Sequence, residues 1–251
     1  MSDRFRALIL AGSRGGVDPV AAYAGVAHKA LIELDGLTLL DRVSRALRDA
    51  GATEIAVSVS DDAVRAAATM LGLTVLTAAS GPSHSVRDGI EALGAPLLVT
   101  TVDHALLQPE WITRFLADVP ADADVAAMLA RQDVIEAAAP GTRRTYLRFA
   151  DGAWSGCNLF YFATPRSVAA LDLWAQVEAD RKRPWRIVRR LGIGTLVRYM
   201  SGRLTLVAAL AHLGRLAGLE AAAVATPFGL AAVDVDKPAD LDLVRDLVAR
   251  A

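Results

Sequence analysis

LILAGSRGGVDPVAAYAGVAHKALIEL, residues 8–34, leaves an apolar run, enters a glycine-spaced loop and meets one lysine before the chain turns apolar again. The short, leucine- and isoleucine-containing run at 5–10 reads as a buried strand. Directly after it, Gly12, Gly15 and Gly16 allow positive φ and leave no Cβ between backbone N–H groups and a ligand. That is the physical basis of a phosphate cradle. Arg14 and Lys29 add positive charge. Two familiar cradles are excluded by spacing: no Gly-Lys-Ser/Thr follows, as a P-loop needs, and GSRGG does not give G-x-G-x-x-G. A solvated surface loop is the plain alternative, so the choice rests on residues farther along.

Short strand-like runs alternate with longer helical patterns, the sequence form of a mostly parallel sheet covered by helices. Strands are expected at 5–10, 55–58, 74–76, 97–100 and 124–128, the first four each followed by helix-like sequence. In LLDRVSRALRDAG, residues 39–51, the positions Leu39, Leu40, Val43, Ala46, Leu47 and Ala50 share one helical face, and Gly51 supplies the stop. After Met128 the pattern changes. TRRTYLRFADGAWSGCNLFYFATP predicts antiparallel strands about the turn Asp151–Gly152, with a return strand at 158–163 ended by Pro165. Residues 166–218 read as helices without a strand, and LAAVDVDKPADLDLVRDLVARA as a final strand and an amphipathic helix. The expectation is an α/β fold, a three-layer sandwich around a mostly parallel mixed sheet. It forms one domain over residues 1–251 with a helical insertion at 166–218.

Composition bounds the function. With 251 residues, 53% of them hydrophobic, and a net charge of −1, the chain can bury a large core. A single cysteine, Cys157, excludes an internal disulfide, and without paired Cys/His spacing a structural zinc site is not expected. The N-terminal apolar run is too short for a signal peptide, and no apolar run has the ~18 residues of a membrane span. A cytoplasmic enzyme is the expectation, with peripheral contact at the inner face of a membrane left open.

LILAGSRGG followed by HKALIELDG and a helix resembles the nucleotidyltransferases of the molybdenum-cofactor guanylyltransferase-like type, relatives of sugar-nucleotide and methylerythritol cytidylyltransferases. That family has Leu-Ala-Gly-Gly-x-Gly-x-Arg after its first strand, and Pro-Lys farther on. Here Ser13 replaces the second glycine, the arginine comes early, and His28 stands for proline. GPSHSVRDGIEAL at 81–93, LLVTTVDHALL at 97–107 and AAVDVDKPADLDLV at 231–244 resemble the family's later segments. The resemblance implies a nucleotide-diphospho-sugar transferase-like fold. It implies nucleotide contacts from Leu10, Ala11, Gly12, Ser13, Gly15, Gly16 and Ser85, and catalytic roles for Lys29, Arg14 and Asp103. It further implies Mg²⁺ held by Asp103 and Asp236, with Asp234 as a second candidate.

The chemistry asks for these residue types. Joining an acceptor phosphate to the α-phosphate of a nucleoside triphosphate brings several negative charges together and expels pyrophosphate. Carboxylates can hold Mg²⁺, Lys29 can stabilise charge at the α-phosphate, and Arg14 with the glycine backbone can hold the outer phosphates. Each has a plain reading too: Asp103 as a turn residue or helix cap, Lys29 as a solvated lysine, Ser85 as a cap for a helix through 86–93, and Cys157 as a buried apolar residue. The expected partners are a nucleoside triphosphate and a phosphorylated acceptor, a small molecule or a lipid head group. Two alternatives stay open. A nucleotide-sugar glycosyltransferase would use Asp-x-Asp, here only Asp234-Val-Asp236 near the C-terminus. A regulatory module that has lost catalysis would account for Ser13 and His28.

RKRPWRIVRRLGIGTLVRYMSGR, residues 181–203, holds eight cations and no acid. Three readings stand for it: a solvated helix face, an acceptor pocket built on Asn158, Arg186, Arg189 and Arg190, or a surface for anionic lipid. Aromatic residues do not interleave with the charges, so nucleic acid is not an expected partner.

Overall fold

A computed structural model describes residues 5–13, 15–16, 18–142, 144–180 and 192–250. Strand β1 (Phe5–Leu10) lies inside the sheet, and its side chains alternate across it as the two-residue period dictates. Ala7 and Ile9 enter one core, and Leu8 enters the other. The small hairpin β2 (Glu33–Leu34) and β3 (Leu37–Thr38) then turns the chain through Asp35 and Gly36, both at positive φ, into helix α2 (Leu39–Asp49). Leu40, Val43 and Leu47 of α2 are fully buried. At about 2 kcal/mol for each such side chain, burial rather than intrinsic propensity holds a helix this short in place.

The remaining elements follow in chain order. They are β4 (Ala52–Val59), α3 (Asp62–Met70), β5 (Thr74–Thr77), α4 (Pro82–Leu93), β6 (Leu97–Thr101), α5 (Pro109–Asp118), β7 (Val125–Arg131), α6 (Gln132–Ala138), β8 (Leu147–Phe149) and β9 (Gly152–Phe162). Then come α7 (Val168–Asp180), α8 (Ile193–Met200), α9 (Leu206–Ala217), β10 (Ala221–Thr226) and α10 (Pro238–Ala249), with α1 (Pro19–Tyr23) near the start. Among the described residues they form an eight-stranded mixed sheet of order β10-β7-β9-β6-β1-β4-β5, with β8 paired to β9. Strand β9 runs antiparallel to β6, β7 and β8; the other pairings are parallel.

The layers follow from the two cores. Helices α2, α3, α5 and α10 send Leu47, Val64, Phe115 and Leu241 to the face that receives Ile9 and Val57. Helices α4 and α7 send Val86, Ile90 and Leu171 to the opposite face, against Leu8, Val99 and Phe162. The α/β class with a mostly parallel mixed sheet is therefore the observed one.

Several boundaries differ from the sequence reading. β4 and β7 are longer than the runs expected at 55–58 and 124–128: β4 starts earlier, through the exposed Thr53 and Glu54, and β7 runs on through the buried Leu129 and Ala130 to Arg131. β9 is one continuous strand from Gly152, not a separate return strand at 158–163. Within 166–218 the described residues form helices and the turns between them, with no strand. The final strand is not in LAAVDVD. It is β10, four of whose six residues are alanine, which marks no strand by composition. Residues 229–232 form a 3₁₀ turn instead. Gly229 fits there because a Cβ would stand 2.2 Å from the Val134 carbonyl oxygen.

Parallel strands in register end together, and that brings two distant segments to one edge. Leu10 pairs with Thr101, and Val102 N–H donates to the Leu10 carbonyl at 3.0 Å. The glycine loop after β1 and Asp103 after β6 thus leave the sheet side by side at the carboxyl ends of the strands, where open α/β sheets bind ligands.

Candidate active site

The loop after β1 begins with Ala11 N–H donating to the Ser58 carbonyl at 2.9 Å, which keeps Leu10 and Ala11 in the sheet. Gly12 and Ser13 are exposed beyond it. Gly15 and Gly16 have φ of +69° and +87°, the left-handed region that a side chain would strain. Asp18 then opens α1, its Oδ1 accepting from Val20 N–H at 2.8 Å and Ala21 N–H at 3.2 Å.

His28 occupies the place of the expected proline and does a positioning job of its own. Its buried Nδ1 accepts from Ala30 N–H at 3.0 Å and caps the 3₁₀ turn Lys29–Leu31. Burial lowers its pKa below the usual histidine value, against the smaller opposing charge of Asp61. That suits a neutral ring accepting a hydrogen bond.

The turn presents Lys29 to two carboxylates. Its ammonium donates to Asp103 Oδ2 and lies 3.7 Å from Asp236 Oδ1. Burial favours the neutral amine, but the charge and hydrogen bond of Asp103, then the charge of Asp236, outweigh it and raise the pKa. Lys29 remains a cation. Asp103 is nearly buried, and the Thr101 hydroxyl donates to its Oδ1. Val235 N–H donates to the Asp103 carbonyl at 3.0 Å, which ties the C-terminal segment to this edge. Asp236 follows, more exposed; partial burial and then the charges of Asp234 and Asp103 push its carboxyl pKa up.

Beside these groups stands a buried polar cluster that the sequence reading found only in part. The Arg144 guanidinium pairs with Asp234 Oδ1, and Asn158 Nδ2 donates to Asp234 Oδ2 at 2.7 Å. Asn158 holds φ of +49°, a conformation asparagine tolerates better than most residues. Among the described residues, Arg144 Nε and the Tyr146 hydroxyl are buried without a hydrogen-bond partner. Arg144 was not among the expected site residues. It lies in TRRTY, where nothing in pattern or spacing separates one arginine from the next.

The other expected residues land as follows. Ser85 is buried inside α4, which starts at Pro82 rather than after Ser85, and its Oγ accepts from Ala79 N–H at 3.0 Å. The hydroxyl thereby fixes the loop between β5 and α4. Cys157 is buried, and burial pushes its thiol pKa up to about 12, so it is an inert apolar residue at neutral pH. Arg14, Arg186, Arg189 and Arg190 lie outside the described residues.

Residues 7–193 match the family described as the MobA-like NTP transferase domain. The chain belongs to that family. A hypothetical transferase from Thermus thermophilus is 30% identical to this NTP transferase, with a TM-score of 0.81 over 95% of this chain and 99% of that one. The CTP:phosphocholine cytidylyltransferase of Streptococcus pneumoniae shares the fold at 13% identity, with a TM-score of 0.59 over 98% and 99% of the two chains. So does the 2-C-methyl-D-erythritol 4-phosphate cytidylyltransferase of Thermus thermophilus, at 16% identity and a TM-score of 0.53 over 99% and 100%. No curated protein matches.

Among the described residues of this NTP transferase, no group of three or more His, Cys, Asp or Glu side chains could cage a metal. Asp103 and Asp236 nevertheless converge on one cation, the Lys29 ammonium. Such a pair fits Mg²⁺, which is commonly bound through one or two carboxylates with water and substrate phosphates filling the remaining positions.

Proposed function

We propose that this nucleotidyltransferase moves a nucleoside monophosphate from a nucleoside triphosphate to a phosphorylated acceptor, a small molecule or a lipid head group, with release of pyrophosphate. The observation that carries the reading is the set Lys29, Asp103 and Asp236 at the strand edge beside the glycine loop. Two structural neighbours are named for a phosphorylated compound, phosphocholine in one and 2-C-methyl-D-erythritol 4-phosphate in the other.

An acceptor phosphate oxygen bonds to the α-phosphorus, and the bond from that phosphorus to the α–β bridging oxygen breaks. The acceptor supplies the nucleophile, so no side chain has to form a covalent intermediate. In this reading the loop from Gly12 to Gly16 offers backbone N–H groups to the outer phosphates, Arg14 adds charge to them, and Leu10, Ala11 and Ser85 border the nucleoside. Lys29, kept protonated by its carboxylate neighbours, is assigned to the α-phosphate, where negative charge builds as the bonds exchange. Asp103 and Asp236 would hold Mg²⁺, whose chemistry is to neutralise phosphate oxygens and orient them. Asn158 and Arg144, joined through Asp234, border the acceptor; the donors left without partners at Arg144 and Tyr146 favour an acceptor rich in oxygen atoms.

The reading is tested by incubating the protein with each of the common nucleoside triphosphates, Mg²⁺ and a panel of acceptor phosphates. Pyrophosphate should appear only when triphosphate, acceptor and metal are all present, and the product mass should equal acceptor plus nucleoside monophosphate less water. Transfer from a nucleotide-sugar instead would favour the glycosyltransferase alternative.

A further inference from the structure

Residues 181–219 contain nine Lys and Arg and no Asp or Glu, in a chain whose net charge is −1. The described end of this stretch has a second property. On α8, Ile193, Val197 and Met200 are spaced as one helical face, and they are 76%, 58% and 78% exposed. Val207, in the first turn of α9, is 66% exposed. No residue of α8 is buried. A water-soluble domain gains nothing by showing large apolar side chains together in this way, and such patches mark contact surfaces.

The helix is nevertheless anchored. Tyr199 packs edge-on against Phe149 of β8, with ring centroids 5.7 Å apart. Arg203 N–H and Leu204 N–H donate to the Arg198 carbonyl and close the turn after α8. Ala150 N–H donates to the Leu204 carbonyl, and the Asp151 carboxylate accepts from Leu206 N–H at 3.0 Å. The β8–β9 turn therefore holds α8 and the start of α9 while the apolar face stays outward. Arg198 and Arg203 are exposed alongside.

We propose that α8 and the first turn of α9 dock on the surface of an anionic lipid bilayer. The charge decides among occupants. A second copy meeting this face across a two-fold axis would set Arg198 and Arg203 of one copy against those of the other, with no acid within residues 192–219 to pair them. An anionic bilayer accepts both properties: Ile193, Val197, Met200 and Val207 sink below the head groups, while Arg198 and Arg203 stay among the lipid phosphates. The contact is peripheral, because among the described residues no helix is long and apolar enough to cross a membrane. This inference holds whatever acceptor the enzyme uses.

The full chain is mixed at 0.1 M salt with vesicles of pure phosphatidylcholine or of phosphatidylcholine with phosphatidylglycerol, and the bound fraction is measured by sedimentation. Binding is expected with the anionic vesicles alone. The combined change Ile193→Ser, Val197→Ser and Met200→Ser should lower the partition coefficient at least tenfold with an unchanged near-ultraviolet circular dichroism spectrum. Arg198→Ser and Arg203→Ser should each lower it roughly fivefold. As a second readout, Ile193→Trp should give a fluorescence blue shift with anionic vesicles and be quenched by brominated lipid. Failure to bind the anionic vesicles overturns the proposal. So does binding that the apolar triple change leaves intact, or a dimer that this change disperses while no vesicle binding is seen.

Discussion

The Lys29 ammonium hydrogen-bonds Asp103 Oδ2 and stands 3.7 Å from Asp236 Oδ1, so one cation joins side chains from three distant parts of the sequence. If that cation acts on the transition state rather than only on bound nucleotide, Lys29→Ala should lower kcat about a hundredfold and change the triphosphate KM far less. Steady-state kinetics read the split. A change confined to KM would make Lys29 an anchor for the triphosphate.

The two carboxylates should not be equivalent. Asp103 is nearly buried, while Asp236 is more exposed. Asp103→Asn keeps the shape and should nearly abolish pyrophosphate release, whereas Asp236→Asn should retain activity at a higher Mg²⁺ requirement. Titration of activity against Mg²⁺ in each variant measures the difference.

The Arg144–Asp234 pair is buried on both sides. Arg144→Leu removes the positive partner and leaves Asp234 with Asn158, at an expected cost of about 3 kcal/mol in unfolding free energy. Adding Asp234→Asn should recover most of that loss, because the stranded charge goes with it. Urea midpoints of the wild type, the two single variants and the double variant close the cycle.

His104 gives a pH dependence with a definite sign. It is buried, and burial is the main cause of its pKa falling to about 4 from an ordinary value near 6.5. The native state therefore keeps the ring neutral while the unfolded chain takes up a proton. This contribution to stability is full above pH 6.5 and is lost as the pH falls toward 4, reaching about 3 kcal/mol. His104→Asn should flatten that part of the profile of unfolding free energy against pH.

What the sequence disclosed follows from the range of each signal. The strand at 5–10, the face of α2 and the turn at Asp151–Gly152 rest on local period and turn chemistry, and all are found in the fold. β10 escaped because Ala221–Thr226 has little strand character; its place is fixed by pairing with β7. The pairing of Lys29 with Asp103 was expected only as a shared role, since register between β1 and β6 is what brings them together. Arg144 stayed hidden because a buried ion pair leaves no periodic mark. His28 departs from the family's proline, and no local pattern discloses that its ring caps the turn that carries Lys29.

The most direct test of the account is pyrophosphate release by the wild type and by Asp103→Asn, run with triphosphate and acceptor phosphate, with and without Mg²⁺, and with the product weighed by mass spectrometry. The account predicts one pyrophosphate for each nucleotidylated acceptor in the Mg²⁺-supplied wild type, and almost none in the variant although it remains folded. Full Mg²⁺-dependent turnover by Asp103→Asn would contradict it.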